Sequence, residues 1–274
     1  MTRFGRRFAR SRAGILGFVI LSGVVIVAAT APVLFPGNPF RRVDRPFQPP
    51  FGRHVFGTDV LGRDVAAGVA HGARTSLTIG LLATAAAVLV GTVMGGLAGY
   101  YGGRIDDLLM RTTEFFQTIP TFLFSILLVA ILAPSVASIV FAIAVVSWPA
   151  VARLVRGEFL AMRNREFVQA GICLGMSDGR VIFRHILPNC LSPIIVTGSL
   201  IVATAILIES ALSFLGLGDP NVMSWGFMIG AGRTFLRSAW WLCTIPGVAI
   251  LVTVLAINLV GEGLNDALNP RLRR

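Results

Sequence analysis

Few side chains in this sequence are placed to do chemistry, and the candidates fall in three places. His54, Asp59, Arg63, Asp64 and His71 lie close together in the first third of the chain. Carboxylates with histidines can hold a metal, but these histidines do not converge at ligand spacing, so the cluster reads as a small ion-paired turn. Glu209 closes an uncharged run that begins at Ile186. A carboxylate at membrane depth costs about 3 kcal/mol. Glu209 is therefore either a gate or pathway group, with Ser213 one turn further on, or a helix-end residue paired with an arginine such as Arg233 or Arg237. Cys173, Cys190 and Cys243 are too scattered for a zinc site or a disulfide framework.

What is missing narrows the chemistry further. All 24 basic residues are arginine. A Walker phosphate loop needs its lysine on the phosphates, and Schiff-base catalysis needs a lysine amine. Neither can operate here, so if ATP drives this protein another chain hydrolyses it. No His-Glu metal motif or serine–histidine pairing falls within the apolar runs, which argues against a membrane-embedded enzyme.

The third place is the basic segment from Glu158 to Asn189. Glu166–Leu174 has good helix formers and a small-residue patch at Ala170-Gly171. Gly175 can end that helix in a left-handed turn. Ser177 or Asp178 can cap a second short helix from Arg180 towards Ile186. Pro188 and Pro193 bracket the entry into the next apolar run. Helix, glycine break, second helix and proline entry suit a part gripped by a soluble partner. An arginine-rich amphipathic helix lying on the lipid surface has the same composition.

The elements that position these residues are membrane spans. Apolar residues make up 55% of the 274 and charged residues 14%, too little polar surface for a soluble domain of this length. The net charge of +11 is spread between apolar runs without an aromatic-interleaved basic face, so nucleic acid is not the expected partner. Ala13–Phe35 and Thr75–Gly103 are each uncharged and long enough to cross ~30 Å of hydrocarbon. Phe115–Ala152 is too long for one crossing, and Ala133-Pro134-Ser135 divides it into a hairpin. Ile186–Ile208 and Ser238–Gly261 complete six spans. The first run is longer than a signal-peptide core and is expected to be retained.

Arginine placement gives direction. With the N-terminus inside, sixteen arginines lie on the cytoplasmic side and eight outside, although the first outer loop is itself basic. Residues 1–12 are then a cytoplasmic tail, 13–35 the first span and 36–74 an extracytoplasmic loop. A core with five spans follows over 75–264, enclosing a cytoplasmic loop at 157–188, and 265–274 is a second cytoplasmic tail. Gly91, Gly95, Gly96 and Gly99 read as a close helix-packing face. Outside Glu209 the spans are bare of charge and no internal repeat is visible, which disfavours a stand-alone secondary transporter.

The central segment resembles the conserved cytoplasmic loop of the binding-protein-dependent ABC transporter permeases. That loop reads Glu-Ala-Ala, then a glycine, then Ile-x-Leu-Pro. Gln169-Ala170-Gly171, Gly175 and Leu187-Pro188 stand at these places, with His185 at the isoleucine. The match extends to His54-Val55-Phe56-Gly57-Thr58-Asp59 with Leu61-Gly62-Arg63-Asp64, to Gly72-Ala73-Arg74-Thr75-Ser76-Leu77, and to Ala98–Gly103. It continues through Leu212–Gly218, Ser224-Trp225-Gly226 and Asp266–Pro270. Together these are similar to the C-type subunit of the dipeptide, oligopeptide and nickel permeases.

The resemblance implies an all-α integral membrane protein with six transmembrane helices and the type I importer architecture. It implies half of a translocation pathway for dipeptides or short peptides, with nickel or another small solute as the alternative. Glu166, Gln169, Ala170, Gly171, Gly175, Leu187 and Pro188 would carry ATPase coupling. The partners would be a second homologous permease, two ATPase subunits holding ATP and magnesium, an extracytoplasmic substrate-binding protein and membrane lipid. No cofactor or metal is expected in this chain, and its place would be the bacterial cytoplasmic membrane.

Overall fold

The structure, a computed structural model, describes residue 8 and residues 11–268. Most of both expected tails, and the Asn269-Pro270 end of the last family match, lie outside the described residues. All longer elements among those described are helices: α1 (Arg12–Leu34), α2 (Val65–Tyr101), α3 (Gly103–Gln117), α4 (Thr121–Leu132) and α5 (Val136–Arg163). The short α6 (Glu166–Cys173) and α7 (Asp178–Arg180) precede a π-helical stretch, Val181–Ile186. Then come α8 (Leu187–Phe214), the short α9 (Trp225–Gly232) and α10 (Trp241–Leu268).

Five units are long and apolar enough to cross a membrane: α1, α2, α5, Asp178–Phe214 and α10. The pair α3 and α4 passes the same test only when taken together, and it is bent by 83°, the shape of a broken span or of a re-entrant loop. At ~1.5 Å per residue α4 alone spans only about 18 Å, short of the hydrocarbon thickness. The uncharged run from Phe115 hides this bend, because nothing charged marks Thr118-Ile119-Pro120. The expected break further on is where the sequence places it. α4 stops at Leu132, Ala133 takes φ +69°, and Ser135 starts α5 by accepting the Ser138 amide at 3.1 Å.

α2 begins ten residues before the uncharged run that announces it. Asp64 is its N-cap, accepting from Ala66 N (2.7 Å) and Ala67 N (3.3 Å). His71 and Arg74 lie within the helix. At its other end Gly102 and Gly103, at φ +68° and +53°, turn the chain into α3; side chains there would be strained.

Side-chain-free surfaces let the long helices meet closely. A Cβ on Gly91 would lie 2.5 Å from Val151 Cβ, and one on Gly99 would lie 2.7 Å from the Arg156 carbonyl oxygen. With Gly95 they form one stripe of α2, spaced at four residues, against α5. Gly17 of α1 meets α10 in the same way, 2.6 Å from Leu259 Cβ for a built Cβ.

Residues 36–64 form an ordered loop at one end of the bundle. Thr58 is fully buried at its centre, donating to the Arg45 carbonyl at 2.7 Å and accepting from Gln48 N at 2.9 Å. Trp241 Nε1 donates to the Thr58 carbonyl at 3.2 Å, tying the loop to α10. The expected Asp59–Arg63 ion pair is present at 3.8 Å. Asp64 instead faces His54, whose two ring nitrogens point at Asp64 (3.1 Å) and Asp44 (3.4 Å). The Arg45 backbone N–H holds Asp44 below the ordinary carboxylate range, with His54 and Arg53 adding to it and partial burial opposing.

Candidate functional site

The segment 157–188 sits at the opposite end of α2 from this loop. α6 is amphipathic in the literal sense that one face is sealed and the other bare. Val168 (1% exposed) belongs to the same buried cluster as Val181, Ile186, Phe159 and Tyr100. Phe167, Ile172 and Leu174 face outward, Leu174 at 79% exposure. Apolar side chains on a polar end of a membrane bundle mark an interaction surface. Phe183, 70% exposed, extends this surface onto the π-helical stretch.

Each residue singled out from the sequence can now be placed. Glu166 lies in the first turn of α6, and Gln169 donates its amide to the Arg163 carbonyl at 2.8 Å. Ala170 is exposed and Gly171 buried, where a Cβ would stand 3.2 Å from Met176 Sδ. Gly175 adopts φ +76°, and the turn is closed by Gly175 N to Ile172 O (2.9 Å) and Met176 N to Gly171 O (3.1 Å). That is the left-handed helix stop its position suggests. Leu187 is half-buried and Pro188 exposed at the start of α8.

Two details differ from the expected second helix and separate proline entry. Ser177 makes no side-chain cap bond, and Asp178–Phe214 runs as one helical unit of 37 residues. Pro188 has no N–H to give to the preceding turn and crowds it. The wider π geometry over Val181–Ile186 lies in the turn that Pro188 follows. Asn189 Nδ2 donates to the His185 carbonyl at 2.6 Å within this stretch.

Two anchors were not legible from spacing. Tyr100 at the end of α2 donates its phenol hydrogen to Asp178 at 2.8 Å. Asp106 of α3 receives both Arg156 Nε and Nη2 of α5, the latter at 2.6 Å, the bidentate geometry that strengthens an arginine–carboxylate pair. Asp106 stands in the first turn of α3, and the arginine that claims it is fifty positions away.

Glu209 and Ser213 lie near the other end of α8. Glu209 is 1% exposed and makes no ion pair among the described residues. Its Oε1 accepts from Ser213 (2.8 Å) and Ser224 (2.8 Å), and its Oε2 from Ser76 (3.2 Å) and Ser210 (3.5 Å). Arg233, a partner expected from the sequence, donates to the Phe214 carbonyl at 2.6 Å instead. Hydroxyls, rather than an arginine, satisfy this carboxylate. The Asp59 and His54 neighbourhood contains no cluster of three or more ligand side chains fit for a metal, nor do the described residues elsewhere.

Residues 87–274 match the model of the binding-protein-dependent transport system inner membrane component. Residues 1–50 match the N-terminal transmembrane domain of oligopeptide transport permease C. The chain is 41% identical over 274 residues to the dipeptide transport system permease protein DppC of Alkalihalophilus pseudofirmus, covering 98% of this chain and 89% of that protein. It is 40% identical over 272 residues to DppC of Bacillus subtilis, covering 98% and 85%. It is 38% identical over 275 residues to the oligopeptide transport system permease protein OppC of Haemophilus influenzae, covering 98% and 88%. A crystal structure of an amino acid ABC transporter with histidines shares the fold, with a TM-score of 0.58 at 15% identity over 73% of this chain and 94% of that one.

Permeases of this family carry no cofactor and leave ATP hydrolysis to a separate chain, with a binding protein as the other implied partner. The chain is a multi-pass inner membrane protein and belongs to the binding-protein-dependent transport permeases, as a C-type permease subunit of an ABC importer.

Proposed function

We propose that this chain forms half of the translocation pathway of a dipeptide or oligopeptide importer and receives its drive through residues 157–188. The observation that carries the reading is the construction of α6. Its inner face is fixed to the ends of α2, α5 and α8, while Phe167, Leu174 and the exposed Glu166, Gln169 and Ala170 face outward. A partner pressing on that surface moves three long helices together. The peptide class follows the names of the relatives at about two-fifths identity; a nickel complex or another small solute is the second reading, decided by the binding protein.

In this reading both termini and α6 are cytoplasmic, and residues 36–64 and α9 are extracytoplasmic. A second homologous permease completes the pathway, and two ATPase subunits dock one on each permease. Rigid-body rocking of the halves then exposes the path to each side in turn. Glu166, Gln169, Ala170, Gly171, Gly175, Leu187 and Pro188 form or support the docking surface. Glu209 and Ser213 act at the far end as structural members of the path's wall rather than as solute ligands.

The test is reconstitution of the complete complex with Leu174→Asp. A charge on Leu174, the highly exposed apolar side chain that caps the end of α6, should uncouple or detach the ATPase, lowering binding-protein-stimulated hydrolysis at least about tenfold. The amount of permease in the membrane should stay unchanged. Wild-type stimulation in that variant would refute the coupling role.

A further inference from the structure

Glu209 has no cation, yet it is the most deeply buried carboxylate among the described residues. What compensates it is visible two bonds away. Ser76 gives its hydroxyl hydrogen to Glu209 Oε2 and accepts the Trp225 backbone N–H at 3.4 Å. Ser224 gives its hydroxyl hydrogen to Glu209 Oε1 and accepts the Phe227 backbone N–H at 3.1 Å. A serine hydroxyl has one hydrogen and two lone pairs, so each of these two can accept an amide of α9 while giving its hydrogen to a second acceptor. The carboxylate is that acceptor for both.

Two of the free N–H groups that open α9 are thus connected through single hydroxyls to the two oxygens of one carboxyl group. The N-terminus of a helix carries partial positive charge and favours an anion. The contact is tight as well as polar. A Cβ on Gly226 would fall 2.6 Å from Ser210 Cα and 2.8 Å from Ser213 Cβ, so α9 begins directly on α8. Trp225, 1% exposed, also donates its indole N–H to the Val69 carbonyl of α2 at 3.0 Å.

We propose that Glu209 is a positioning residue for transport, whose two carboxyl oxygens, acting through Ser76 and Ser224, seat α9 on α2 and α8 and so keep this end of the bundle closed. The proposal rests on the permease reading for its consequence in transport, but the seating itself does not depend on it. Glu209→Gln replaces one of the two accepting oxygens by an NH2 donor, so one of the two serines loses its acceptor and the seat of α9 is weakened.

The protein carries its own reporter. Cys243 of α10 lies against α9, its Sγ 3.7 Å from the Ile229 carbonyl oxygen and 3.3 Å from where a Gly232 Cβ would be. In the assembled complex, alkylation of Cys243 by N-ethylmaleimide, read peptide by peptide with mass spectrometry, measures how often α9 leaves its seat. Glu209→Gln should raise that rate about tenfold, the scale of losing a hydrogen bond to a charged group. Transport per ATP hydrolysed should fall with it.

A reciprocal exchange separates the relay from ordinary helix capping. Aspartate is as good an N-cap as serine, so Ser224→Asp keeps the cap and changes only what faces Glu209. Under the relay it sets two carboxylates against each other and unseats α9 as Glu209→Gln does. The double variant Glu209→Gln with Ser224→Asp restores a donor facing an acceptor and should return alkylation to within about twofold of wild type. A neutral Ser224→Asp, or a double variant worse than both singles, overturns the proposal. Should the singles fail to assemble, assembly of the double at wild-type level supports the relay and its failure refutes it. A wild-type complex without ATP-driven uptake would refute the permease reading while the alkylation pattern still decides the role of Glu209.

Discussion

The Tyr100 hydroxyl, 6% exposed as a residue and anchored at the end of α2, holds the Asp178 carboxylate at 2.8 Å across 78 positions of sequence. This bond fixes the turn after α6 to the helix that crosses the whole bundle. Tyr100→Phe keeps the ring in its cluster and removes only the donor. The loss should be about 1–2 kcal/mol locally, since a hydrogen bond to a charged group goes. Hydrogen exchange of amides in Glu166–Cys173 should quicken about tenfold in the complex, while protein level stays unchanged.

The α2–α5 contact leaves no room at Gly99. A leucine there must displace the Arg156 backbone, only 2.7 Å from the built Cβ. Overpacking against backbone in a helix pair that meets along a glycine stripe is expected to cost more than about 3 kcal/mol. Gly99→Leu should therefore abolish accumulation of the complex in membranes. Gly157→Leu, with open space around its position, is the control that should accumulate normally.

Arg156 and Asp106 clamp α3 to α5 next to the bend between α3 and α4. The pair is partly solvated, with side-chain exposures of 36% and 14%. Arg156→Met or Asp106→Asn should each lower thermal stability by about 1–2 kcal/mol, because the partner charge is left unpaired. The double variant Arg156→Met with Asp106→Asn should be less destabilised than the sum of the two single variants, because no orphan charge remains. Strict additivity in a thermal melt of the complex would show the clamp carries no coupling energy.

Acid should loosen the loop at residues 36–64 in a definite direction. Asp44 is held below its ordinary value of 3.8 by the Arg45 N–H, then by His54 and Arg53. A depressed folded value means the stabilisation is complete above the unfolded value and is lost as pH falls through the folded one. Pepsin cleavage beside Phe47 and Phe51 should accelerate as pH drops below that value. In Asp44→Asn cleavage should be faster at the start and nearly flat over the same range.

Much of the architecture can be seen in composition alone, because lipid demands long uncharged runs. The first span is predicted at Ala13–Phe35 and found at Arg12–Leu34, and the turn at Ala133–Ser135 is announced by its proline. The start of α2 is hidden because charge marks the edge of hydrocarbon rather than the end of a helix. Its cap, Asp64, is visible in the sequence yet silent without knowing that His71 and Arg74 are helical.

The site divides in the same way. Gly175 signals its own turn, since only its backbone conformation matters there. The Glu209 shell is assembled from residues 76, 210, 213 and 224, and Arg156 finds Asp106 across fifty positions. Local spacing cannot show partners that tertiary packing chooses.

The uninterrupted course from Asp178 to Phe214 has a mechanical corollary. At ~1.5 Å per residue its 37 residues make a rod about 55 Å long. Tilting such a rod by about 10° around its middle displaces each tip by roughly 5 Å, in opposite directions. Asp178 is near one tip and Glu209 near the other. A lever of this kind lets a push on the nucleotide-driven side be felt, with reversed sign, beside the serines that hold α9, and the π-helical collar at Val181–Ile186 is the place where its stiffness could be tuned.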